Sequence, residues 1–214
     1  MNKKIIGLTG NYCAGKNHVA GILERRSIPV LDVDKLGHQA IETEKERLLE
    51  RFGNDILSQD GSMSVSMSID RKRLGDKVFG RPEELQALEE IIHPVANRET
   101  LAWINARMEP ACVINAALLH RSSAFEMLDA VIIVEAPFLV RLFRARKRDR
   151  LPWTALLKRF KSQRGFSAQY FKGKTDIYRV KNSVCFSFNK DSAEKKLNKR
   201  VNDILSIQGI TLKG

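Results

Sequence analysis

Residues 5–17 carry the stretch that decides the fold: Ile5-Ile6-Gly7-Leu8-Thr9-Gly10-Asn11-Tyr12-Cys13-Ala14-Gly15-Lys16-Asn17. It opens as a short apolar run typical of a buried strand and continues as the pattern Gly, four residues, Gly-Lys. This pattern is typical of a phosphate-binding loop, in which consecutive backbone N–H groups surround a phosphate at the N-terminus of a helix. The spacing of residues 19–23 suits a packed helix, so the stretch predicts a strand, a phosphate-binding loop and a helix.

Each position of this loop has a physical role. Gly10 and Gly15 give backbone freedom and close approach, and Lys16 brings a positive charge to the β- and γ-phosphates. The next position is normally a Ser or Thr whose hydroxyl binds Mg²⁺, but here it is Asn17. Its amide oxygen is still an acceptor, so we predict Asn17 to be a weak metal ligand. The predicted nucleotide-binding residues are Gly10, Asn11, Tyr12, Cys13, Ala14, Gly15, Lys16, Asn17 and His18.

The composition bounds the class of protein. The chain has 214 residues, of which 43% are hydrophobic and 29% charged, which predicts one globular domain over 1–214. Its three cysteines lie far apart without metal-ligand spacing, which favours a reduced, cytoplasmic protein. The apolar stretch 128–140 is interrupted by Asp129 and Glu135, so we expect no membrane span. The net charge of +12 suits either a nucleic-acid binder or an enzyme with several phosphates on its substrates.

Two carboxylates follow the next predicted strand, which contains Val30 and Leu31. Asp32 and Asp34 stand at alternate positions just before a helical stretch over 35–42. In a parallel α/β sheet the carboxyl ends of the strands face the ligand crevice, so these residues are candidates for a general base or a Mg²⁺ ligand. The alternative is that they only cap the next helix.

The region between the second and third strands is predicted to be a helical insertion over 45–108. Within it, Asp70 is predicted to cap a helix. His93-Pro94 is predicted to break or kink the chain before a further helix over 95–108. A lone histidine such as His93 is more often structural than catalytic.

The later strands are predicted at 111–115, 130–134 and 183–188, before a closing helix over 193–207. The first two are continuous apolar runs, which suit a sheet that is covered on both faces.

A basic segment follows the fourth strand. Between Arg141 and Arg164 ten Lys or Arg residues stand against a single acid, Asp149. Some of these charges are expected on a solvated helix face. A basic helical hairpin here is also where a nucleotide kinase places a lid, whose arginines offset the charge on the transferring phosphoryl group. We predict a lid over 141–175, with a turn-rich, mobile part at 165–174.

With its elements in this order, the chain resembles the dephospho-coenzyme A kinases nearly from end to end. The residues that carry the resemblance are Leu8-Thr9-Gly10, Gly15-Lys16, Asp32-Val33-Asp34, Asp70-Arg71, Leu74, Val78-Phe79, His93-Pro94, Arg144, Arg148-Asp149, Gln163, and Asn189 at the end of the last strand.

The resemblance implies a P-loop NTPase-like α/β fold: a parallel five-stranded sheet with flanking helices, an inserted helical substrate subdomain and a basic helical lid. It also implies transfer of the ATP γ-phosphoryl group to the ribose 3′-hydroxyl of dephospho-coenzyme A, with Mg²⁺. The implied functional residues are Asp34, Lys16, Arg148 and Thr9 for catalysis, with Asp34 also a metal ligand; Asp32, Arg71 and His93 for the acceptor; and Asn189 for the nucleotide.

The sequence also departs from the family pattern. Asn11 and Cys13 stand where Gly is usual, Asn17-His18 stands where Ser-Thr is usual, and residues 115–120 lack the usual Pro and Glu. These departures leave open a non-catalytic member that still binds nucleotide or coenzyme A. A nucleoside monophosphate kinase and a basic nucleic-acid-binding protein are further alternatives, although no nucleic-acid recognition module is visible. We expect dephospho-coenzyme A as the partner, no nucleic acid or membrane, and a monomer or small homo-oligomer.

Overall fold

A parallel β-sheet organises the first of two compact units, Met1–Asp32 with Ala106–Gly214. The computed structural model describes residues 3–58, 67–162, 175–184 and 189–210. The spatial order of the five strands is β2-β3-β1-β4-β5, and every neighbouring pair is parallel, which confirms the predicted sheet. The strands are β1 (Lys4–Gly10), β2 (Val30–Asp32), β3 (Ala111–Asn115), β4 (Ala130–Glu135) and β5 (Asp176–Lys181).

The helices of the described ranges are α1 (Lys16–Glu24), α2 (Val33–Thr43), α3 (Lys45–Phe52), α4 (Arg71–Val78), α5 (Pro82–Asn105), α6 (Phe138–Asp149), α7 (Trp153–Ser162) and α8 (Lys190–Ile207). None of them combines the length and the apolar character that a bilayer crossing requires.

The core of the sheet unit forms where the central strands are covered by α1 and α8. Leu8 and Ile132 of the sheet are fully buried in one cluster with Ile22 of α1 and Val201 of α8. Central strands of a parallel sheet are buried on both faces, which explains why β3 and β4 are continuous apolar runs. The sheet therefore holds the loop after β1 in a fixed frame.

The last strand differs from the prediction over 183–188. The strand is β5, Asp176–Lys181, and residues 183–184 lie after its end, while 185–188 lie outside the described residues. β5 is at the edge of the sheet, where only Val180 of the strand is buried, so its sequence lacks a continuous apolar run. The predicted turn-rich segment 165–174 also lies outside the described residues.

The second compact unit, Val33–Asn105, is helical and has its own core, which includes Leu48, Ile56, Leu74 and Ile91. The Asp70 carboxylate accepts from the backbone N–H of Lys72, as expected of a helix cap.

A break or a kink was predicted at His93-Pro94, and the chain does not break there: α5 runs continuously over 24 residues with Pro94 inside it. Proline costs a helix about 3 kcal/mol because it removes one N–H and crowds the preceding turn. Ile91 and Val95 are buried on either side of Pro94. Burial of each such side chain contributes about 1.5–3 kcal/mol, enough to carry the helix through the proline.

Candidate active site

The phosphate-binding loop connects the end of β1 to the start of α1. The N–H of Ala14 donates to the carbonyl of Asn11 at 2.8 Å and closes the turn. A Cβ at Gly10 would lie 2.6 Å from the backbone oxygen of Val134, so only glycine lets β1 and β4 approach here. Gly15 has a φ of 93°, in the left-handed region that favours glycine. Local geometry thus explains both glycines of the motif.

At the base of this loop a buried carboxamide bridges two of its residues. Asn115, the last residue of β3, is 2% exposed and pairs in register with Leu8 of β1. Its Oδ1 accepts from Lys16 Nζ at 3.1 Å, and its Nδ2 donates to Asn17 Oδ1 at 3.2 Å. We call these three side chains the carboxamide bridge. Sequence reasoning gave Asn115 no role, although a polar residue at the end of a buried strand was the signal.

A second buried carboxamide supports the same end of the loop. Asn182, 2% exposed and directly after β5, donates through Nδ2 to the carbonyl of Ala14 at 3.2 Å. The Arg144 guanidinium donates to the Ala14 carbonyl at 3.0 Å and to the Asn182 carbonyl at 3.3 Å. The loop carbonyls are therefore held by α6 and by the end of β5.

The resemblance placed Asn189 at the end of the last strand, but the last strand of the described residues, β5, ends at Lys181. Asn189 is the N-cap of α8, and its Oδ1 accepts from the N–H of Ser192 at 2.9 Å. The asparagine that follows the last strand is Asn182. This difference follows from the position of the last strand, and the nucleotide role given to Asn189 stays a prediction.

The tip of the loop contacts the basic helical hairpin formed by α6 and α7. Tyr12 donates its hydroxyl to Asp149, and the Arg148 guanidinium lies 5.1 Å from the centre of the Tyr12 ring. The Phe160 ring packs edge-on at 5.3 Å, and Arg159 lies 6.0 Å from the same ring centre. Asp149 also accepts from Arg148 Nε at 2.7 Å. The structure therefore brings the predicted catalytic Arg148 to the tip of the predicted loop.

The loop lies in a strongly positive environment. Cys13 has a φ of 58°, a left-handed conformation that is strained for a residue with a Cβ. Burial raises the pKa of its thiol, and four neighbouring arginines lower it in part. These arginines are Arg148, Arg144, Arg141 and Arg159. A cluster of guanidinium groups around backbone N–H donors is suited to bind several phosphates.

Two other predicted residues of this unit have identified partners. Thr9 is fully buried at the end of β1, and its hydroxyl donates to the carbonyl of Ala117 at 3.3 Å. The His18 ring lies 2.9 Å from the Glu194 carboxylate of α8. The geometry gives Thr9 a structural contact and ties the first turn of α1 to the closing helix.

The oxygen donors of this unit fit a magnesium ion that is shared with phosphates. Asp32 ends β2 in register with Asn115, and its buried Oδ1 has no hydrogen-bond partner among the described residues. The Asn17 carboxamide oxygen, predicted as a weak ligand, already accepts from Asn115 Nδ2 at 3.2 Å. The described residues contain no group of three or more His, Cys, Asp or Glu side chains that could hold a metal. Mg²⁺ beside phosphates needs only one or two carboxylates, so the residues fit it.

The remaining predicted residues lie in the Val33–Asn105 unit. Asp34 is in the first turn of α2 and is exposed, Arg71 is the exposed first residue of α4, and the half-buried His93 lies within α5. Backbone N–H groups at the α4 terminus hold the pKa of the neighbouring Asp70 carboxyl below its usual range. The functional roles of Asp34, Arg71 and His93 stay predictions.

Comparison with known proteins agrees with this geometry. The family model described as CoaE, dephospho-CoA kinase, matches residues 4–178. A dephospho-CoA kinase of Treponema pallidum is 32% identical over 188 residues, which cover 83% of this chain and 86% of the relative. One from Gluconobacter oxydans is 39% identical over 150 residues, covering 69% and 72%. A Thermus thermophilus crystal structure titled TT1252 superposes with a TM-score of 0.75 at 27% identity, covering 95% and 98%. The family match spans most of the chain, and the chain therefore belongs to the dephospho-CoA kinase family, with the P-loop kinase fold.

Proposed function

We propose that this chain is an ATP-dependent dephospho-coenzyme A kinase that transfers the γ-phosphoryl group of ATP to the ribose 3′-hydroxyl of dephospho-coenzyme A. The observation that carries the proposal is the loop between β1 and α1. Within one unit, this loop has a backbone that two glycines shape, a lysine that a buried amide holds, and arginines of α6 and α7 close by. The family match and the names of the relatives support the acceptor.

In this proposal, the protein mainly positions the phosphates and offsets their charge. The loop N–H groups and Lys16 hold the β- and γ-phosphates, and Arg148 offsets the charge that develops during transfer. Asp34 accepts the proton of the ribose 3′-hydroxyl while the oxygen of that hydroxyl forms a bond to the γ-phosphorus. The bond from that phosphorus to the bridging oxygen breaks, and ADP leaves. Asp32, Arg71 and His93 hold the acceptor.

Mg²⁺, when bound, neutralises charge on the β- and γ-phosphates. The carboxylates of Asp32 and Asp34 are the donors that would hold it, whereas the oxygen of Asn17, predicted as a weak ligand, is already engaged by Asn115. We also expect a cytoplasmic protein that is a monomer or a small homo-oligomer.

The test is an ADP-release assay that depends on both dephospho-coenzyme A and Mg²⁺, with the product checked for a new 3′-phosphate. Lys16→Ala and Asp34→Ala should each lower kcat by about 100-fold or more. Asp76→Asn, an exposed acid of α4 in the same unit as Asp34, is the matched control and should keep full activity.

Three results would each replace this proposal. Nucleotide binding without turnover at high Mg²⁺ would favour the non-catalytic alternative. Turnover with nucleoside monophosphates but not with dephospho-coenzyme A would favour a nucleoside monophosphate kinase. Tight binding to nucleic acid that weakens steeply with salt would instead favour the nucleic-acid reading.

A further inference from the structure

The carboxamide bridge fixes the direction in which each of its side chains points. Lys16 carries an ammonium group, which has three donors and no acceptor. Asn115 must therefore turn its Oδ1 towards Lys16, as the 3.1 Å contact shows. Its Nδ2 then faces Asn17, so Asn17 must accept through its own Oδ1, at 3.2 Å.

The burial of Asn115 makes this direction stable. Asn115 ends β3, an interior strand of the sheet, and is 2% exposed. Reversing it would set an N–H₂ group against the Lys16 ammonium and leave a buried polar group unpaired, which is costly in a buried site.

We propose that Asn115 is a positioning residue that turns the Asn17 carboxamide so that its N–H₂ group, and not its oxygen, serves the nucleotide phosphates. Asn17 then acts as a phosphate donor instead of as the metal ligand that a Ser or Thr provides at this position. Asn115 also sets the Lys16 ammonium through the same carboxamide. The inference rests on the nucleotide-binding half of the proposed function and does not require phosphoryl transfer.

The chemistry of the position supports a donor. Asn17 is the second residue of α1, where a helix terminus favours anions and where N–H groups point at a bound phosphate. An amide N–H₂ group in this place extends the row of backbone donors by one side chain. Its oxygen, in contrast, is already engaged by Asn115.

Asn17→Ala separates the two roles when ATP binding is measured by calorimetry, once with Mg²⁺ and once with EDTA. A lost phosphate donor weakens both affinities by a similar factor of about ten, because a hydrogen bond to a charged group is lost in each case. A weakening that appears only with Mg²⁺ would make Asn17 a metal ligand and would overturn the proposal.

Asn115→Asp tests the positioning directly. A carboxylate has only acceptors, so it would still accept from Lys16 but would draw the N–H₂ group of Asn17 towards itself and turn the Asn17 oxygen outwards. The measured quantity is the ratio of the ATP affinity in EDTA to the ATP affinity with Mg²⁺. We expect this ratio to be about tenfold lower in the variant than in the unaltered chain. An unchanged ratio would contradict the proposal.

The double variant Asn115→Asp/Asn17→Ala is the control for a metal bound by the new carboxylate itself. The change in this affinity ratio should disappear in the double variant, because Asn115→Asp is expected to change the ratio only by turning the Asn17 side chain. If the ratio changes equally without Asn17, the positioning role is wrong.

Binding is read without turnover, so a chain that fails as a kinase can still pass this test. An absence of ATP binding to the unaltered chain under both conditions would overturn the inference.

Discussion

The two ends of the phosphate-binding loop are held in opposite ways. Its base, residues 14–17, is fixed by two neutral carboxamides, Asn115 and Asn182, each 2% exposed. Its tip, residues 11–13, contacts an ion-paired and aromatic surface of α6 and α7. The Arg148 and Arg159 side chains on this surface are 60% and 55% exposed.

This difference teaches how one short loop divides its tasks. A buried amide that loses its partner costs about 1–3 kcal/mol, so the base has one favoured geometry. Exposed ion pairs and cation–π contacts contribute about 0–1 kcal/mol each, so the tip can exchange partners at little cost. The base is therefore suited to set the phosphate position and the tip to respond to what binds.

The strongest way to break the base is Gly15→Ala. The residue has a φ of 93°, and a Cβ there would lie 2.3 Å from Asn182 Nδ2, so the change adds backbone strain and displaces the supporting amide. We expect a loss of about 2 kcal/mol or more in the free energy of unfolding and at least a tenfold loss of ATP affinity. Chemical denaturation and calorimetry would measure these two effects.

Gly21→Ala is the matched control for that variant. Gly21 lies inside α1, and the nearest atom to an added Cβ is the Arg25 guanidinium at 3.6 Å. Alanine should stabilise the helix by up to about 1 kcal/mol and leave ATP binding unchanged. If both alanine variants behaved alike, the special geometry of Gly15 would not matter.

A smaller effect is expected from Asn182→Ala, which removes one amide from the base and leaves the backbone unstrained. The Ala14 carbonyl would lose the 3.2 Å bond but keep the one from Arg144, so we expect about 1–3 kcal/mol lower stability and weaker ATP binding. Asn189→Ala is the comparison, since it removes only the N-cap of α8. It should lower stability by about 1 kcal/mol and weaken ATP binding less than Asn182→Ala does; the reverse order would favour the nucleotide role predicted for Asn189.

Much of this fold could be predicted because the signals are local. The Gly-Lys loop, the two apolar strands and the Asp70 cap depend on residues a few positions apart. The edge strand β5 could not be found in this way. Only Val180 of this strand is buried, and Arg179 and Lys181 are exposed, so the strand has no continuous apolar run in the sequence. The continuity of α5 through Pro94 depends on tertiary packing that outweighs a local penalty.

The site was predictable only in part, for a related reason. Lys16 stands out from the motif alone, but its partner Asn115 is 99 positions away and meets it through the register of β1 and β3. Asn182 depends on the end of β5, so a misplaced strand moved the predicted residue to Asn189. Pairings across a sheet are set by register, which the spacing of one segment does not contain.

The smallest expected effect comes from Tyr12→Phe, which tests whether the tip is the adjustable end. The variant loses the hydroxyl bond to Asp149 but keeps the ring beneath Arg148 and against Phe160. Asp149 also retains its contact with Arg148 at 2.7 Å, so no buried charge is left unpaired. We expect the unfolding free energy to change by less than about 1 kcal/mol and the KM for ATP by less than about threefold.

Tyr12→Ala supplies the contrast, because it removes the aromatic surface as well as the hydroxyl. It should lower the free energy of unfolding more than Tyr12→Phe does, because it also removes aromatic and cation–π contacts that contribute about 0.5–1.5 kcal/mol each. If Tyr12→Phe alone cost as much as Asn182→Ala, the tip would be as rigidly held as the base. Release of Tyr12 would then have to accompany any movement of Arg148 towards a phosphate, and the hydroxyl bond to Asp149 would itself oppose nucleotide binding.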